Sequence, residues 1–212
     1  CPADCITIIN LAEEKSDPIY QYGVNEFRLY GLPLPKEGVV GLIGKNGIGK
    51  STAIKLMAAH LLPNFADFEA AFTHEEILKR LNPDLRNYFL TLHEKKLKVS
   101  LKPQSIGKIP ELFKGSAREL LEKNDERGAM QRATDLFQLQ EILGKNVHEL
   151  SGGELQRLAI ASAFCKDADL YYFDEPAAYL DIRQRLAVAR ALMVLSEGKK
   201  VVVIEDELAI FD

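Results

Sequence analysis

The sequence predicts an α/β fold built on a largely parallel sheet, and three observations predict it. Short apolar strands alternate with helical segments along most of the 212 residues. A β-branched run, VVGLI at 39–43, feeds a glycine-rich loop that opens a helix. A second apolar run, LYYFDE at 170–175, ends on two acids. Alternation of this kind calls for parallel pairing, because each helix carries the chain back to begin the next strand. Ligands of such sheets sit beyond the carboxyl ends of the strands.

Taken in order, CITIIN (5–10) and FRLYGL (27–32) read as strands, joined by a polar loop with Glu13, Glu14, Lys15 and Pro18. VVGLI is the next strand, and STAIKLMAAHLL (51–62) follows as a helix. From Glu69 to Lys98 the chain is charged and helix-like, and NPD at 82–84 divides it into two helices joined by a turn. LKVSLKPQ (97–104) returns to strand and ends at a proline. SARE (116–119) has the spacing of a capping box, and helical character continues to about Leu139. SGGE (151–154) fits a second capping box at the head of another helix. LYYFDEP is a buried strand, IRQRLAVARALMVLSEGK (182–199) a helix closed by glycine, and VVVIE (201–205) a last apolar strand.

The length allows one large domain or two small ones, with ample core, and 47% hydrophobic with 27% charged residues is an ordinary soluble composition. No apolar run approaches the roughly 18 residues of a membrane-spanning helix, and nothing resembles a secretory signal, so no membrane partner is expected. A net charge of −4 argues against a generally basic nucleic-acid coat but leaves local patches open. Three cysteines, Cys1, Cys5 and Cys165, are too few for a disulfide framework in a chain this long. The sequence opens on CPADC and stops at AIFD just after an apolar run; both ends look cut, so a piece of a longer cytoplasmic protein is expected.

Gly44-x-x-x-x-Gly49-Lys50-Ser51 is a P-loop pattern, with the strand before and helix after that it requires. Its glycines let backbone N–H groups point inward around phosphates. Asn46, Gly47, Gly49, Lys50, Ser51 and Thr52 are therefore candidate nucleotide contacts. Lys50 would reach the β- and γ-phosphates, and the Ser51 hydroxyl would ligate Mg²⁺. Buried acids without partners are costly, so Asp174 and Glu175 call for a cation or a substrate proton. Asp174 fits the Mg²⁺ role and Glu175 the general base that polarises the attacking water.

In chain order the P-loop, Gln104, LSGGE (150–154), FDEP (173–176) and YLD (179–181) resemble the ATP-binding-cassette ATPases over nearly the whole chain, LSGGE being their signature. The resemblance implies a mainly parallel core sheet, an antiparallel β subdomain, a helical signature subdomain (105–165) and a helix-loop-helix insertion (69–98). It also implies that Ser151 and Gly153 bind the ATP of a partner cassette. That would explain why one chain carries two phosphate-gripping loops. Gln104 resembles the glutamine that senses Mg²⁺ and the γ-phosphate, and Asp181 the aspartate crossing the interface between cassettes.

QYGVNEFRLYGLPLP, GKNGIGKSTAIKLMAAHLLPN, LKPQ, LSGGELQRLAIA and FDEPAAYLDIRQRL together resemble the first cassette of the RNase L inhibitor family, twin-cassette iron–sulfur ATPases of ribosome recycling. Tyr22 and Phe27 would then stand beside adenine; as bare residues they also read as strand core. Residues 1–4 look like the end of an iron–sulfur domain whose clusters belong to the full-length protein, since Cys1 alone holds none. Cys5 reads as a small strand residue and Cys165 as buried on the signature helix. The implied partners are the second cassette of the same polypeptide, the small ribosomal subunit with its rRNA, and release factor-like proteins. Lys79, Arg80, Arg86, Lys95, Lys96 and Lys98 of the insertion could meet rRNA phosphates, or form an ordinary solvated face. The implied function is an ATP-driven clamp in subunit splitting and translation initiation. A membrane-transporter ATPase subunit and a non-hydrolysing ATP-binding scaffold are the other readings.

One position departs from the family. Where its members carry a histidine after the last strand, this chain has Asp206. An imidazole can donate a hydrogen bond to the γ-phosphate, whereas an ionised aspartate cannot and adds negative charge. Either Asp206 turns away, is protonated, or the site hydrolyses slowly with ATP binding retained, and the last is the expectation.

Overall fold

The computed structural model describes residues 18–94 and 96–205. The strand expected at 5–10, Cys1, Cys5, Lys95 and Asp206 lie outside the described residues. A small antiparallel pair, β1 (Tyr20–Gln21) with β2 (Arg28–Leu29), opens the described chain. The core is a four-stranded parallel sheet of β3 (Gly38–Ile43), β4 (Val99–Lys102), β5 (Leu170–Asp174) and β6 (Lys200–Glu205), in the order β3-β6-β5-β4. Every pairing is parallel, so the four carboxyl ends point one way and the loops that leave them gather on one side.

Helices cover both faces, which is why β5 and β6 read as continuous apolar runs rather than alternating ones. On one face Tyr171, Phe173, Val201 and Val203 pack with α5 (Ala117–Asn124), α6 (Met130–Leu136), α7 (Gly152–Phe164) and α8 (Ile182–Ser196), including Leu121, Ala133, Leu158, Phe164 and Leu192. On the other, Leu170, Tyr172, Val202 and Ile204 meet Ile54 and Met57 of α1 (Lys50–Met57). A third cluster, Ile77, Leu81, Leu85 and Phe89, joins α2 (His74–Arg80) to α3 (Pro83–His93). Tyr88 ties that pair to the sheet: its hydroxyl donates to the Met57 carbonyl at 2.6 Å and lies 3.1 Å from the Tyr172 hydroxyl.

The capping boxes at Ser116/Glu119 and Ser151/Glu154 both form, each side chain bonding the other residue's backbone N–H. Several elements are shorter than the pattern suggests, each for a local reason. The strand at 27–32 shrinks to β2 before Pro33 and Pro35, which lack N–H donors. The helix at 51–62 stops at Met57, and Ala59 takes a left-handed φ of 56°. The helix read as continuous to Leu139 breaks after Asn124, where Asp125 accepts from the N–H groups of Ala129 (2.7 Å) and Met130 (3.1 Å) and so caps α6. Asn82 caps α3 by accepting from Leu85 N–H at 2.9 Å, with Pro83 in the first turn, so the NPD turn starts a helix as well as separating two. The 105–165 region also holds the short α4 (Ile109–Leu112).

Candidate functional site

The loop between β3 and α1 bends through two left-handed glycines, Gly47 at φ 86° and Gly49 at φ 93°. Gly49 is the N-cap of α1, whose first N–H groups have no partner within the helix and face the loop's hollow. The ring of Phe27 closes over Gly49; a Cβ there would fall 2.1 Å from its Cζ, and the φ of 93° strains any side chain at this position. Lys50 folds back onto its own loop, donating to the Gly44 carbonyl and to the Lys45 carbonyl at 3.1 Å. The Tyr22 hydroxyl lies 3.1 Å from the Thr52 hydroxyl. Tyr22 is 46% exposed, so it is not strand core.

Asp174 ends β5 beneath this loop and is buried. Burial raises its pKa, against the lowering effect of a hydrogen bond from the Ser51 hydroxyl. Its Oδ1 is buried and has no hydrogen-bond partner among the described residues. A hydroxyl and an orphaned carboxylate oxygen side by side are the hard oxygen donors that Mg²⁺ takes, so Ser51 and Asp174 fit the ion. When bound, it would neutralise charge on the β- and γ-phosphates. Glu175 follows at φ 48°, a left-handed backbone that a non-glycine residue holds only when its surroundings impose it. The Gln104 amide, just past β4, donates to Glu175 Oε1 at 2.6 Å.

Three buried polar residues at this point were not marked by the sequence reading. Lys102, 1% exposed, donates from Nζ to the carbonyls of Asp174 at 2.8 Å and Glu175 at 3.3 Å. Burial pulls its pKa down to about 8, with Asp174, Glu175 and Glu205 pulling the other way. Gln156 of α7, with no exposed surface, donates to the carbonyls of Glu175 at 2.7 Å and Pro176 at 3.0 Å. Glu205 accepts from Ala177 N–H at 2.8 Å, and burial raises its pKa. No local signal marked them: in β4 the apolar Val99 and Leu101 alternate with Ser100 and Lys102, and it is the polar pair that is buried.

The structure brings Tyr22, Phe27, Asn46, Gly47, Gly49, Lys50, Ser51, Thr52, Gln104 and Glu175 around one open cleft of about 300 Å³, with Asp174 below it. Ser151, Gly153 and Asp181 are not among its lining residues. Ser151 caps α7, and its partner Glu154 is held down to about pKa 2, first by Lys145 and then by the Ser151 N–H. Asp181 caps α8, accepting from Gln184 N–H at 2.9 Å. Between them Tyr179, left-handed at φ 64° and 73% exposed, packs on the signature glycines: a Cβ on Gly153 would come 3.0 Å from the Tyr179 carbonyl. The signature therefore forms a helix start separate from the cleft.

The basic residues of the α2–α3 region divide into two groups. Arg86 donates to the carbonyls of Leu78 (2.7 Å) and Leu81 (3.1 Å), closing the end of α2, and Arg80 lies 4.4 Å from the Phe72 ring centroid. These two are engaged inside the chain. Lys79, Lys96 and Lys98 are exposed and form surface ion pairs with Glu75, Glu94 and Asp167. Cys165 is buried, which pushes its thiol up to about 12.

The sequence pattern of the ABC transporter family matches residues 30–178. Over its full length the chain is 44% identical to ABC transporter E family member 1 of Arabidopsis thaliana and 39% identical to translation initiation factor RLI1 of Saccharomyces cerevisiae, covering 36% of each. It thus spans little more than a third of the length of these relatives. Among solved structures it is similar to RNase-L Inhibitor (TM-score 0.87, 45% identity, 93% of this chain and 39% of that one). It is also similar to a chain from the complex of an archaeal ribosomal stalk protein with an archaeal ribosome recycling factor (TM-score 0.85, 45% identity, 92% and 38%).

Proposed function

The chain belongs to the ABC transporter family, and from that premise we propose that it is the ATP-hydrolysing cassette of a ribosome-recycling protein of the RNase L inhibitor type. The observation that carries the proposal is the meeting of the P-loop, the Ser51–Asp174 pair, Gln104 and Glu175 at one cleft. Lys50 and the α1 N-terminus hold the triphosphate, Tyr22 and Phe27 stand by the base, and Ser51, Gln104 and Asp174 meet Mg²⁺. Glu175 takes the proton of the attacking water.

Ser151 and Gly153, displayed away from this cleft, grip the ATP of a second cassette in the same polypeptide, and Asp181 reaches across. ATP does work through its greater affinity for the closed pair than for the open one. Closure and reopening split ribosomal subunits in the cytoplasm. The α2–α3 pair lies against the small subunit and its rRNA, and release factor-like proteins are partners in the same event. Iron–sulfur clusters belong to the full-length protein. The names of the relatives support this reading, since they are a translation initiation factor and a ribosome recycling factor. No helix of the described residues is long and apolar enough to cross a membrane.

The test is ATP turnover by the full-length protein with and without ribosomal subunits, read alongside subunit splitting in a density gradient. Turnover coupled to splitting is expected. Splitting that proceeds equally with ATP and with a non-hydrolysable analogue, with no turnover at this site, would favour the scaffold reading that Asp206 suggests.

A further inference from the structure

Glu175 is held in a left-handed conformation by contacts from three different elements. Its N–H donates to the Ile204 carbonyl of β6 at 2.9 Å. Its carbonyl receives two buried donors: Lys102 Nζ from β4 at 3.3 Å and Gln156 Nε2 from α7 at 2.7 Å. Lys102 also holds the Asp174 carbonyl at 2.8 Å and Gln156 the Pro176 carbonyl at 3.0 Å, so the chain is gripped on both sides of Glu175. Both donors are sealed from solvent, Lys102 at 1% and Gln156 at 0% exposure.

A buried ammonium carries a heavy desolvation cost, and a methionine would fill the same volume without it. Packing alone therefore gives no reason for a lysine here. What the ammonium supplies is donors to two consecutive carbonyls, those of Asp174 and Glu175, where the strand turns into a strained loop. Catalytic groups need to be held within about 0.5 Å and 10–20° of their working geometry by neighbours that are themselves fixed. A left-handed non-glycine residue is strained and relaxes unless its peptide groups are tied down.

We infer that Lys102 and Gln156 are positioning residues, a two-donor clamp on the Glu175 backbone that aims its carboxylate into the cleft. Neither touches the nucleotide cleft itself, since neither is among its lining residues. The inference rests on the reading of Glu175 as general base. It adds that the base is aimed by a residue two positions before Gln104 and by one five positions after Ser151. The strand that leads to the γ-phosphate sensor and the helix that carries the signature therefore both bear on the same carbonyl.

The experiment uses the full-length protein with its second cassette disabled, so that turnover reports this site. Lys102→Met keeps the stem volume and removes the donors; Gln156→Met does the same from the helix side; Glu175→Gln is the reference. Each variant is measured for kcat, KM for ATP, equilibrium Mg-ATP affinity and Tm. Lys102→Met is expected to lower kcat at least tenfold with KM and affinity within twofold, and Gln156→Met to lower it in the same way. Unchanged kcat in Lys102→Met overturns the clamp, and if that variant does not fold, Gln156→Met decides in its place. A fall in kcat matched by a fall in ATP affinity also overturns it, because the residue would then be supporting the cleft as a whole. If Glu175→Gln is inactive while Lys102→Met is normal, the clamp fails and the base assignment survives. If Glu175→Gln turns over normally, the base assignment fails, and the clamp with it.

Discussion

Glu175 and Lys50 are the two side chains on which the proposed hydrolysis turns. Glu175→Gln keeps an oxygen for the Gln104 amide to bond but cannot take a proton. Turnover at this site should fall by about 10²–10⁴-fold while ATP binding persists, leaving full-length protein trapped with ATP on the small subunit. Pelleting assays that recover no ATP-loaded, ribosome-bound protein would remove Glu175 from the base role. Lys50→Ala takes away the cation of the phosphate cradle, and Mg-ATP binding should vanish in calorimetry. An affinity within twofold, about 0.4 kcal/mol, would refute the P-loop assignment. The meeting of Glu175 and Lys50 at one cleft was readable because each sits in a local sequence pattern. Lys102 and Gln156 were not, because their partners lie 72 and 19 residues away, and nothing local shows a lysine turning inward. The left-handed backbone of Glu175 was equally hidden, since sequence rules reserve that conformation for glycine and asparagine.

Among the elements, α2 and α3 carry the clearest division of labour. The NPD turn and the charge of this segment were legible, but not which charges are engaged. Arg86 closes the end of α2 and Arg80 covers Phe72, so both hold the pair together. Water screens exposed ion pairs such as Lys79–Glu75, so those lysines can exchange partners at little cost. Reversing Lys79 and Lys96 to glutamate should therefore weaken small-subunit binding, most at low salt, with ATP affinity and Tm nearly unchanged. Arg86→Met should instead lower Tm, because it uncovers the last carbonyls of α2. If subunit binding by the double reversal matches wild type throughout a salt titration, the α2–α3 surface is not the ribosome contact.

At the scale of the whole molecule, the parallel order β3-β6-β5-β4 brings the P-loop, Gln104 and Asp174–Glu175 out at one side of the sheet. The signature start is displayed elsewhere, so the isolated cassette should bind ATP weakly and hydrolyse it very slowly. Asp206→His in the full-length protein, with the second cassette disabled, should raise turnover several-fold. A rate that stays level or drops would show that Asp206 is not what limits this site. The same strand order also sets a timetable. β3, the strand that launches the P-loop, pairs only with β6 in the described sheet, so Gly38 must wait for Lys200. Pairing between segments so distant in sequence is slow to form. At about 5–20 residues per second the wait during synthesis is roughly 10–30 s, through which β3 lacks its one neighbour in the described sheet. A nascent chain stalled with α8 outside the ribosome but β6 still inside should fail to retain ATP, and release of six more residues should restore it.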